Sequence, residues 1–151
     1  TVINSFSFTD QEIGLPLGNL TSQLFVNIYM NEFDQFVKHK LKAKYYIRYA
    51  DDFVLMSENK NWPEAQISRI NDFLQTELKL NLHPQKVFIK TFASGIDFLG
   101  WISFPDHRVL RTSTKRRMFK KIASAKSEAT INSYIGLLKH GNAFKLKSKI
   151  L

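Results

Sequence analysis

The chain has 151 residues, of which 44% are hydrophobic and 13 are Phe, so it can bury a core and a disordered chain is excluded. It contains no Cys, which excludes a disulfide framework and a thiolate metal site. Its apolar runs are all shorter than the roughly 18 to 20 residues of a membrane span, so we expect no membrane partner.

The net charge of +9 is concentrated towards the C-terminus. Residues 1–110 contain 11 Lys and Arg against 12 Asp and Glu, whereas residues 111–151 contain 11 Lys and Arg against one acid, Glu128. A basic segment that follows a nearly neutral body indicates a polyanionic partner. A solubilising charged helix face is the alternative interpretation.

The first half of the chain predicts a helix, a hairpin and a second helix. Thr21 or Ser22 can cap the first helix, whose apolar residues recur at spacings suited to one face. These residues are Leu24, Phe25, Ile28, Tyr29, Phe36 and Val37. Aromatic and β-branched residues on both sides of a short acidic turn predict a β-hairpin over residues 45–56. Asn61 and Glu64 predict a capping box at the start of the next helix.

The second half predicts shorter strands and then basic helices. A short strand is expected over Val87–Ile89, and the residues from Ile96 to Ile102 predict the start of another hairpin. From Ser113 onward the pattern is helical and basic, with a break at residues 141–142. Helices that alternate irregularly with antiparallel hairpins are typical of the α+β class.

Two adjacent carboxylates, Asp51 and Asp52, lie at the turn of the first predicted hairpin. Asp is common in turns, so a structural role is one interpretation. The other is chemical, because nucleotidyl transfer uses hard cations such as Mg²⁺, which oxygen ligands hold beside phosphates. Two such ions about 4 Å apart can activate an attacking hydroxyl and stabilise the leaving oxygen.

The segment Tyr49–Ala50–Asp51–Asp52 resembles the Tyr-x-Asp-Asp signature of reverse transcriptases. Four further segments follow the family's order: Gly14-Leu-Pro-Leu-Gly-Asn-Leu-Thr-Ser-Gln23, Leu82-His-Pro-Gln-Lys86, Gly95-Ile-Asp-Phe-Leu-Gly-Trp101 and Ser133-Tyr-Ile-Gly-Leu-Leu-Lys-His140. The resemblance covers the chain from about Gly14 to its end. It implies a partial polymerase palm over residues 1–112, with hairpins packed on helices, and the start of a basic helical thumb over residues 113–151.

The resemblance also implies roles for individual residues. Asp51 and Asp52 would be catalytic metal ligands for Mg²⁺ or Mn²⁺, and Lys86 would act beside the departing pyrophosphate. Contacts with the template, the nucleotide and the primer end would come from Gly18, Asn19, Ser22, Gln23 and Tyr49. Support for the primer strand would come from Leu99, Gly100 and Trp101. Duplex phosphates would be held by Lys115, Arg116, Arg117, Lys120 and Lys121, with a solvated helix face as the alternative for some of them.

The implied function is that of a cytoplasmic RNA-directed DNA polymerase of bacterial or phage origin, acting on an RNA template, a DNA primer and deoxynucleotides. The pattern Gly18-x-x-x-Ser22-Gln23 resembles enzymes of diversity-generating retroelements, which implies error-prone copying with an accessory protein. Two alternatives stay open. One is another reverse-transcriptase lineage, such as a retron, group II intron or phage-defence enzyme, and the other is a non-catalytic nucleic-acid-binding module derived from a polymerase.

The family's third catalytic carboxylate is expected in a strand well upstream of Gly14. Only 13 residues precede Gly14 here, and their two acids, Asp10 and Glu12, lie too close to the glycine turn to match. We therefore expect the chain to be a fragment without the fingers and the first catalytic strand, and to be inactive alone. Loss of the neighbouring strand would leave a sheet edge uncovered, so we also expect the fragment to dimerise through that edge.

Overall fold

A computed structural model describes residues 20–125 and 127–150. The chain divides into two compact units between Val87 and Phe88. Both units combine helices with antiparallel strands, so the predicted α+β class is confirmed. Within the described ranges, every helix is too short or too polar to cross a membrane.

The first unit contains one hairpin and several helices. The helices are α1 (Leu20–Tyr29), α2 (Asn31–Gln35) and α3 (Trp62–Glu77), and the strands are β1 (Tyr45–Tyr49) and β2 (Asp52–Met56). A π-helical turn over Phe36–Lys40 continues α2, and a 3₁₀ turn covers Pro84–Lys86.

The core of this unit lies between its helices and the inner face of the hairpin. Its buried residues are Met30, Phe33, Val37, Leu41, Ile70, Leu74 and Leu78. The Phe33 ring lies 4.8 Å from the Phe53 ring and 6.2 Å from the Tyr46 ring, measured between centroids. Because Phe33 is fully buried, these contacts fix one face of the hairpin against α2.

The hairpin shows the two-residue alternation of a half-buried sheet. Its register runs from Tyr45 opposite Met56 to Tyr49 opposite Asp52. Tyr46 and Phe53 face the core, whereas Tyr45, Ile47 and Tyr49 are exposed on the other face. Among the described residues, β1 and β2 pair only with each other.

The second unit is a three-stranded antiparallel meander followed by helices. The strands are β3 (Ile96–Phe98), β4 (Trp101–Ser103) and β5 (Arg108–Leu110), and the helices are α4 (Thr112–Ala125), α5 (Glu128–Leu138) and α6 (Phe144–Lys147). A 3₁₀ turn covers Phe92–Ser94. Its buried core comprises Trp101, Leu110, Met118, Leu138 and Ala143.

Three predicted features differ from the structure. The predicted strand at Val87–Ile89 is wrong, because that segment is irregular and its apolar side chains find no pairing strand. The capping box at Asn61 is also wrong, since the Asn61 side chain caps nothing although α3 begins directly after it. The first helix was predicted to carry an apolar face from Leu24 to Val37. Instead α1 ends at Tyr29, and much of that face is exposed.

The predicted second hairpin is confirmed, and so are the basic helices and their break near residues 141–142. An additional interruption before Glu128, where Ser127 occupies the N-cap, was not predicted. Ser127 adopts an extended backbone conformation, so α5 starts as a separate helix instead of continuing α4.

Candidate active site

The acidic turn of the first hairpin consists of only two residues, Ala50 and Asp51. Tyr49 and Asp52 pair directly across its base, so both flanking strands hold the turn in register. Ala50 has a φ of +52°, in the left-handed region that costs a non-glycine residue about 1–2 kcal/mol. The turn is therefore strained at the residue immediately before Asp51.

The carboxylates of this turn are accessible. Asp51 and Asp52 are both exposed, and neither forms an ion pair with another described residue. Asp52 shares the outer face with Tyr49, because residues opposite each other in a hairpin project to the same side. Exposed carboxylates are the hard oxygen ligands that Mg²⁺ and Mn²⁺ prefer, so their chemistry fits a metal site.

The rest of the described chain adds no further ligand to this pair. Over residues 20–125 and 127–150, no group of three or more His, Cys, Asp or Glu side chains is placed to hold a metal ion. A pair of carboxylates on one turn supplies part of a coordination shell, because Mg²⁺ takes six ligands and fills many of them with water and substrate oxygens.

Arg48 connects the turn to the helices, a role that the sequence analysis did not find. Its Nε donates to Asp34 Oδ1 at 2.8 Å and its Nη2 donates to Asp34 Oδ2 at 2.6 Å, so the guanidinium and the carboxylate form a bidentate pair. Its Nη1 donates to the Ala50 carbonyl oxygen at 2.7 Å and to Asn27 Oδ1 at 3.2 Å. We call these four residues, with Tyr46, the Arg48 network.

Tyr46 completes this network by donating its hydroxyl proton to Asp34 Oδ1 at 2.5 Å. The hydrogen bond from Arg48 holds the pKa of the Asp34 carboxyl below its usual range, against the opposing effect of burial. Burial and the adjacent Asp34 carboxylate raise the pKa of Tyr46. Asp34 is therefore ionised and Tyr46 protonated at neutral pH, which is the state that these hydrogen bonds require.

The alternation of side chains along β1 is a sequence signal that could have revealed the Arg48 network. Arg48 lies on β1 at the same parity as the core-facing Tyr46, and its side chain is only 9% exposed. A charged residue at an inward strand position requires a buried partner. Asp34 meets this requirement, since it directly follows the core residue Phe33 on α2.

The predicted template and nucleotide contacts are only partly described. Gly18 and Asn19 lie outside the described residues. Ser22 is buried on α1, where its hydroxyl has no hydrogen-bond partner among the described residues, whereas Gln23 is exposed. Tyr49 is exposed at the end of β1, beside Asp52.

Lys86 lies in the same unit as the acidic turn, at the end of the 3₁₀ turn Pro84–Lys86. The imidazole Nδ1 of His83 accepts from the backbone N–H of Gln85 at 3.3 Å, which caps this turn. The Lys86 side chain is exposed and makes no hydrogen bond or ion pair with another described residue. It is accessible to an anionic ligand.

In the second unit, the predicted primer-supporting residues form the tip and the base of the β3–β4 hairpin. Leu99 and Gly100 make its two-residue turn, with φ values of +51° and +82°. Leu99 is exposed at the tip, whereas Trp101 is 9% exposed and belongs to the core of the unit. Leu99 can therefore contact a ligand directly, and Trp101 can support it only through packing.

The basic residues of α4 divide into a stripe and one exception. Arg116, Arg117, Lys120 and Lys121 are exposed, and at 100° per residue they span an arc of about 140°. Met118, which is fully buried, lies on the opposite side of the helix. Lys115 is half-buried and falls outside the stripe. A stripe of this kind presents positive charge along one helix face.

The sequence model of the family described as "Reverse transcriptase (RNA-dependent DNA polymerase)" matches residues 3–103. Because the match covers more than half of the chain, the chain belongs to the reverse transcriptase family. It is also similar to Protein YkfC of Escherichia coli (strain K12), at 27% identity over 154 aligned positions. That alignment covers 79% of this chain and 38% of Protein YkfC, so the chain spans well under half the length of this curated relative.

The family match includes the acidic turn, Lys86 and the β3–β4 hairpin. It ends at Ser103, so β5 and the helices α4, α5 and α6 lie beyond it. The family membership therefore applies to the residues around the candidate site, and the role of the basic stripe depends on its own chemistry.

Proposed function

We propose that the chain is the palm and early thumb of an RNA-directed DNA polymerase, which copies an RNA template into DNA by two-metal nucleotidyl transfer. The observation that carries this proposal is the two-residue turn that presents Asp51 and Asp52 to solvent between paired strands. The membership of the chain in the reverse transcriptase family supports the same reaction.

Asp51 is the principal metal ligand in this proposal, and Asp52 adds a second ligand and negative charge. Asp51 and Asp52 would hold Mg²⁺ or Mn²⁺, which would supply activation of the primer 3′-hydroxyl and stabilisation of the leaving oxygen. The chain's own contribution is a rigid mount for the ligands, because core packing against Phe33 and the Arg48 network fix the hairpin. Lys86 is proposed to neutralise charge on the departing pyrophosphate.

The substrate contacts are proposed to come from residues of the first unit and from residues of the second unit. Ser22 and Gln23, with Gly18 and Asn19, are proposed to line the templating base and the nucleotide, and Tyr49 to lie at the primer end. Leu99 would contact the primer strand from its hairpin tip, with Gly100 setting the turn and Trp101 packing behind it.

The basic stripe on α4 is proposed to bind duplex phosphates. Arg116, Arg117, Lys120 and Lys121 lie on one face, so they can follow a nucleic-acid backbone. Lys115 is half-buried and contributes less in this arrangement. Phosphate contacts of this kind would hold the primer–template duplex without reading its sequence.

We further propose that the enzyme belongs to a diversity-generating retroelement of a bacterium or phage, acts in the cytoplasm and works with an accessory protein. The chain alone is proposed to be inactive, since one turn supplies only two carboxylates. Among the described residues β1 and β2 pair only with each other, and these strands are proposed to pair with a second copy. Light scattering of the chain across a concentration series tests this, and a strictly monomeric species would contradict it.

The reaction is tested by primer extension on an RNA template with Mg²⁺, using the full-length protein that contains this chain. Asp51→Asn should abolish extension, because the amide cannot replace the charge of a carboxylate ligand. Asp72→Asn is the matched control, since Asp72 is exposed on α3, away from the acidic turn in sequence. Nucleic-acid binding without extension by the well-folded wild-type protein would favour a binding module instead.

A further inference from the structure

The Arg48 guanidinium joins a helix carboxylate to the backbone of the acidic turn. On one side it holds Asp34 through two hydrogen bonds of 2.8 and 2.6 Å. On the other it donates to the Ala50 carbonyl oxygen at 2.7 Å. The side chains of Arg48 and Asp34 are 9% and 22% exposed, so the pair is largely shielded from water. A shielded bidentate pair fixes the guanidinium in both position and orientation.

The bond to the Ala50 carbonyl acts on the direction of Asp51. That carbonyl belongs to the peptide plane that joins Ala50 to Asp51, and a peptide plane moves as one rigid group. Fixing its oxygen therefore fixes the rotation of the plane, which contains the nitrogen and Cα of Asp51. Because Asp52 is paired with Tyr49, the backbone that directs the Asp51 side chain is held on both sides. Ala50 has a φ of +52°, which an alanine does not prefer, and the hydrogen bond from Arg48 stabilises this conformation.

We propose that Arg48 is a positioning residue, which is held by Asp34 and which fixes the Ala50 carbonyl so that Asp51 projects in the direction that metal binding requires. This inference rests on the proposed function in one respect, that Asp51 is a metal ligand. Arg48 itself contacts neither the metal nor the substrate in this proposal. Its effect is transmitted through one peptide plane.

The shape of the side chain provides a selective test. Lysine keeps the positive charge but is a single point donor, so it cannot hold both Asp34 oxygens and the Ala50 carbonyl in fixed directions. Arg48→Lys should therefore loosen the turn while retaining most of the charge balance of the core. Arg69→Lys makes the same chemical change in the same unit at an exposed guanidinium that contacts Gln66.

The experiment measures Mn²⁺ binding by electron paramagnetic resonance and primer extension on the same preparations of the full-length protein. The wild type is compared with Asp51→Asn, Arg48→Lys and Arg69→Lys, and a thermal melt of each variant reports folding. We expect Arg48→Lys to weaken Mn²⁺ binding several-fold and to lower kcat by about 10- to 100-fold, the scale of a misplacement of about 1 Å. Arg69→Lys should resemble the wild type in both measurements.

The outcomes separate this inference from the proposed function. Wild-type Mn²⁺ affinity and kcat in Arg48→Lys, beside an inactive Asp51→Asn, would overturn the positioning role and leave the polymerase proposal standing. A wild type that extends no primer, but whose Mn²⁺ binding depends on both Asp51 and Arg48, would support the positioning role and overturn the polymerase proposal. Mn²⁺ binding that is insensitive to Asp51→Asn would overturn both.

A second variant covers the case in which Arg48→Lys fails to fold. Asp34→Asn keeps the size of the side chain and an acceptor for Tyr46, but it removes the charge that orients Arg48. A folded Asp34→Asn protein with weakened Mn²⁺ binding supports the positioning role. The same protein with wild-type Mn²⁺ affinity overturns it.

Discussion

The β1–β2 hairpin and the β3–β4 hairpin both close through two residues, and each holds a non-glycine residue at positive φ, Ala50 at +52° and Leu99 at +51°. They maintain this conformation differently. At the second turn Gly100 follows Leu99 with a φ of +82°, so both central residues have the positive φ of a type I′ turn. At the first turn Asp51 follows Ala50, and no glycine is present.

The difference shows how a turn can carry a chemical group at a central position. A glycine supplies positive φ from its own backbone, whereas the Ala50–Asp51 turn receives an external hydrogen bond from Arg48. A hydrogen bond to a charged group contributes about 1.5–3 kcal/mol, which is comparable to the strain of about 1–2 kcal/mol at Ala50. The Arg48 network can therefore offset the strain of the positive φ at Ala50.

The largest predicted effect comes from removing Arg48. Arg48→Ala leaves the Asp34 carboxylate partly buried without its partner, and we expect it to lower the free energy of unfolding by about 2–4 kcal/mol. An ion pair of the second unit, Arg111 with Asp97, is more exposed, at 43% and 41%. Arg111→Ala should therefore cost only about 0–1 kcal/mol.

Urea denaturation of the chain measures both values, and its two tryptophans separate the units. Trp62 lies in the first unit and Trp101 in the second. In a Trp101→Phe background the fluorescence reports only the first unit, and in a Trp62→Phe background only the second. Equal losses from Arg48→Ala and Arg111→Ala would contradict the distinction between the two turns.

Local features of the fold could be predicted from the sequence because they depend on near neighbours. The alternation around Asp51 predicts the first hairpin, and the basic residues after Ser113 predict helices. The irregular conformation of residues 87–89 could not be predicted, because β propensity suggests a strand there but no neighbouring strand in the described part of the chain pairs with it. Helix periodicity likewise could not predict the exposure of Leu24, which depends on what packs against α1.

The sequence led to the exposed carboxylates of the candidate site but not to the residues that hold the turn in place. Motif resemblance led to Asp51 and Asp52, which the structure leaves accessible. It could not identify Arg48 and Asp34 as a pair, because they are separated by 14 residues and meet only when α2 packs on β1. Nor could it predict that Trp101 is a core residue, since burial depends on the later helices of the second unit.

A smaller effect is expected in the pH dependence of stability. The bond from Arg48 lowers the pKa of Asp34, so the folded state binds this proton more weakly than the unfolded state. The resulting stabilisation is fully present above the unfolded pKa near 3.8 and is lost as the pH falls through the lower folded pKa. Asp34→Asn removes this dependence but retains a neutral acceptor, so its cost should be below that of Arg48→Ala at neutral pH.

Urea denaturation of the wild type and Asp34→Asn between about pH 7 and pH 2 measures this effect. The stability difference between them should be constant down to about pH 5 and should narrow below about pH 4. Asp72→Asn serves as the control, because Asp72 is exposed and forms no ion pair with another described residue. A difference for Asp34→Asn that stays constant to pH 2 would contradict the role of the Arg48 bond.

The smallest predicted effects come from exchanging alanine and glycine at the two turns. Gly100→Ala places a Cβ at positive φ and 3.1 Å from Thr114 Oγ1, so we expect a loss of about 1–2 kcal/mol in the second unit. Ala50→Gly relieves the strain at the first turn but increases the entropy of the unfolded chain, which leaves a net gain of about 0.5 kcal/mol.

The two substitutions should change the free energy of unfolding in opposite directions. One unfolding experiment in the two tryptophan backgrounds measures both variants. The gain from Ala50→Gly should be larger when Arg48 is also replaced by lysine, since the strained turn then lacks its external hydrogen bond. An Ala50→Gly gain that is the same in both backgrounds would show that Arg48 does not stabilise the turn. The difference between the two hairpins would then have to lie in the contacts of their strands with the core.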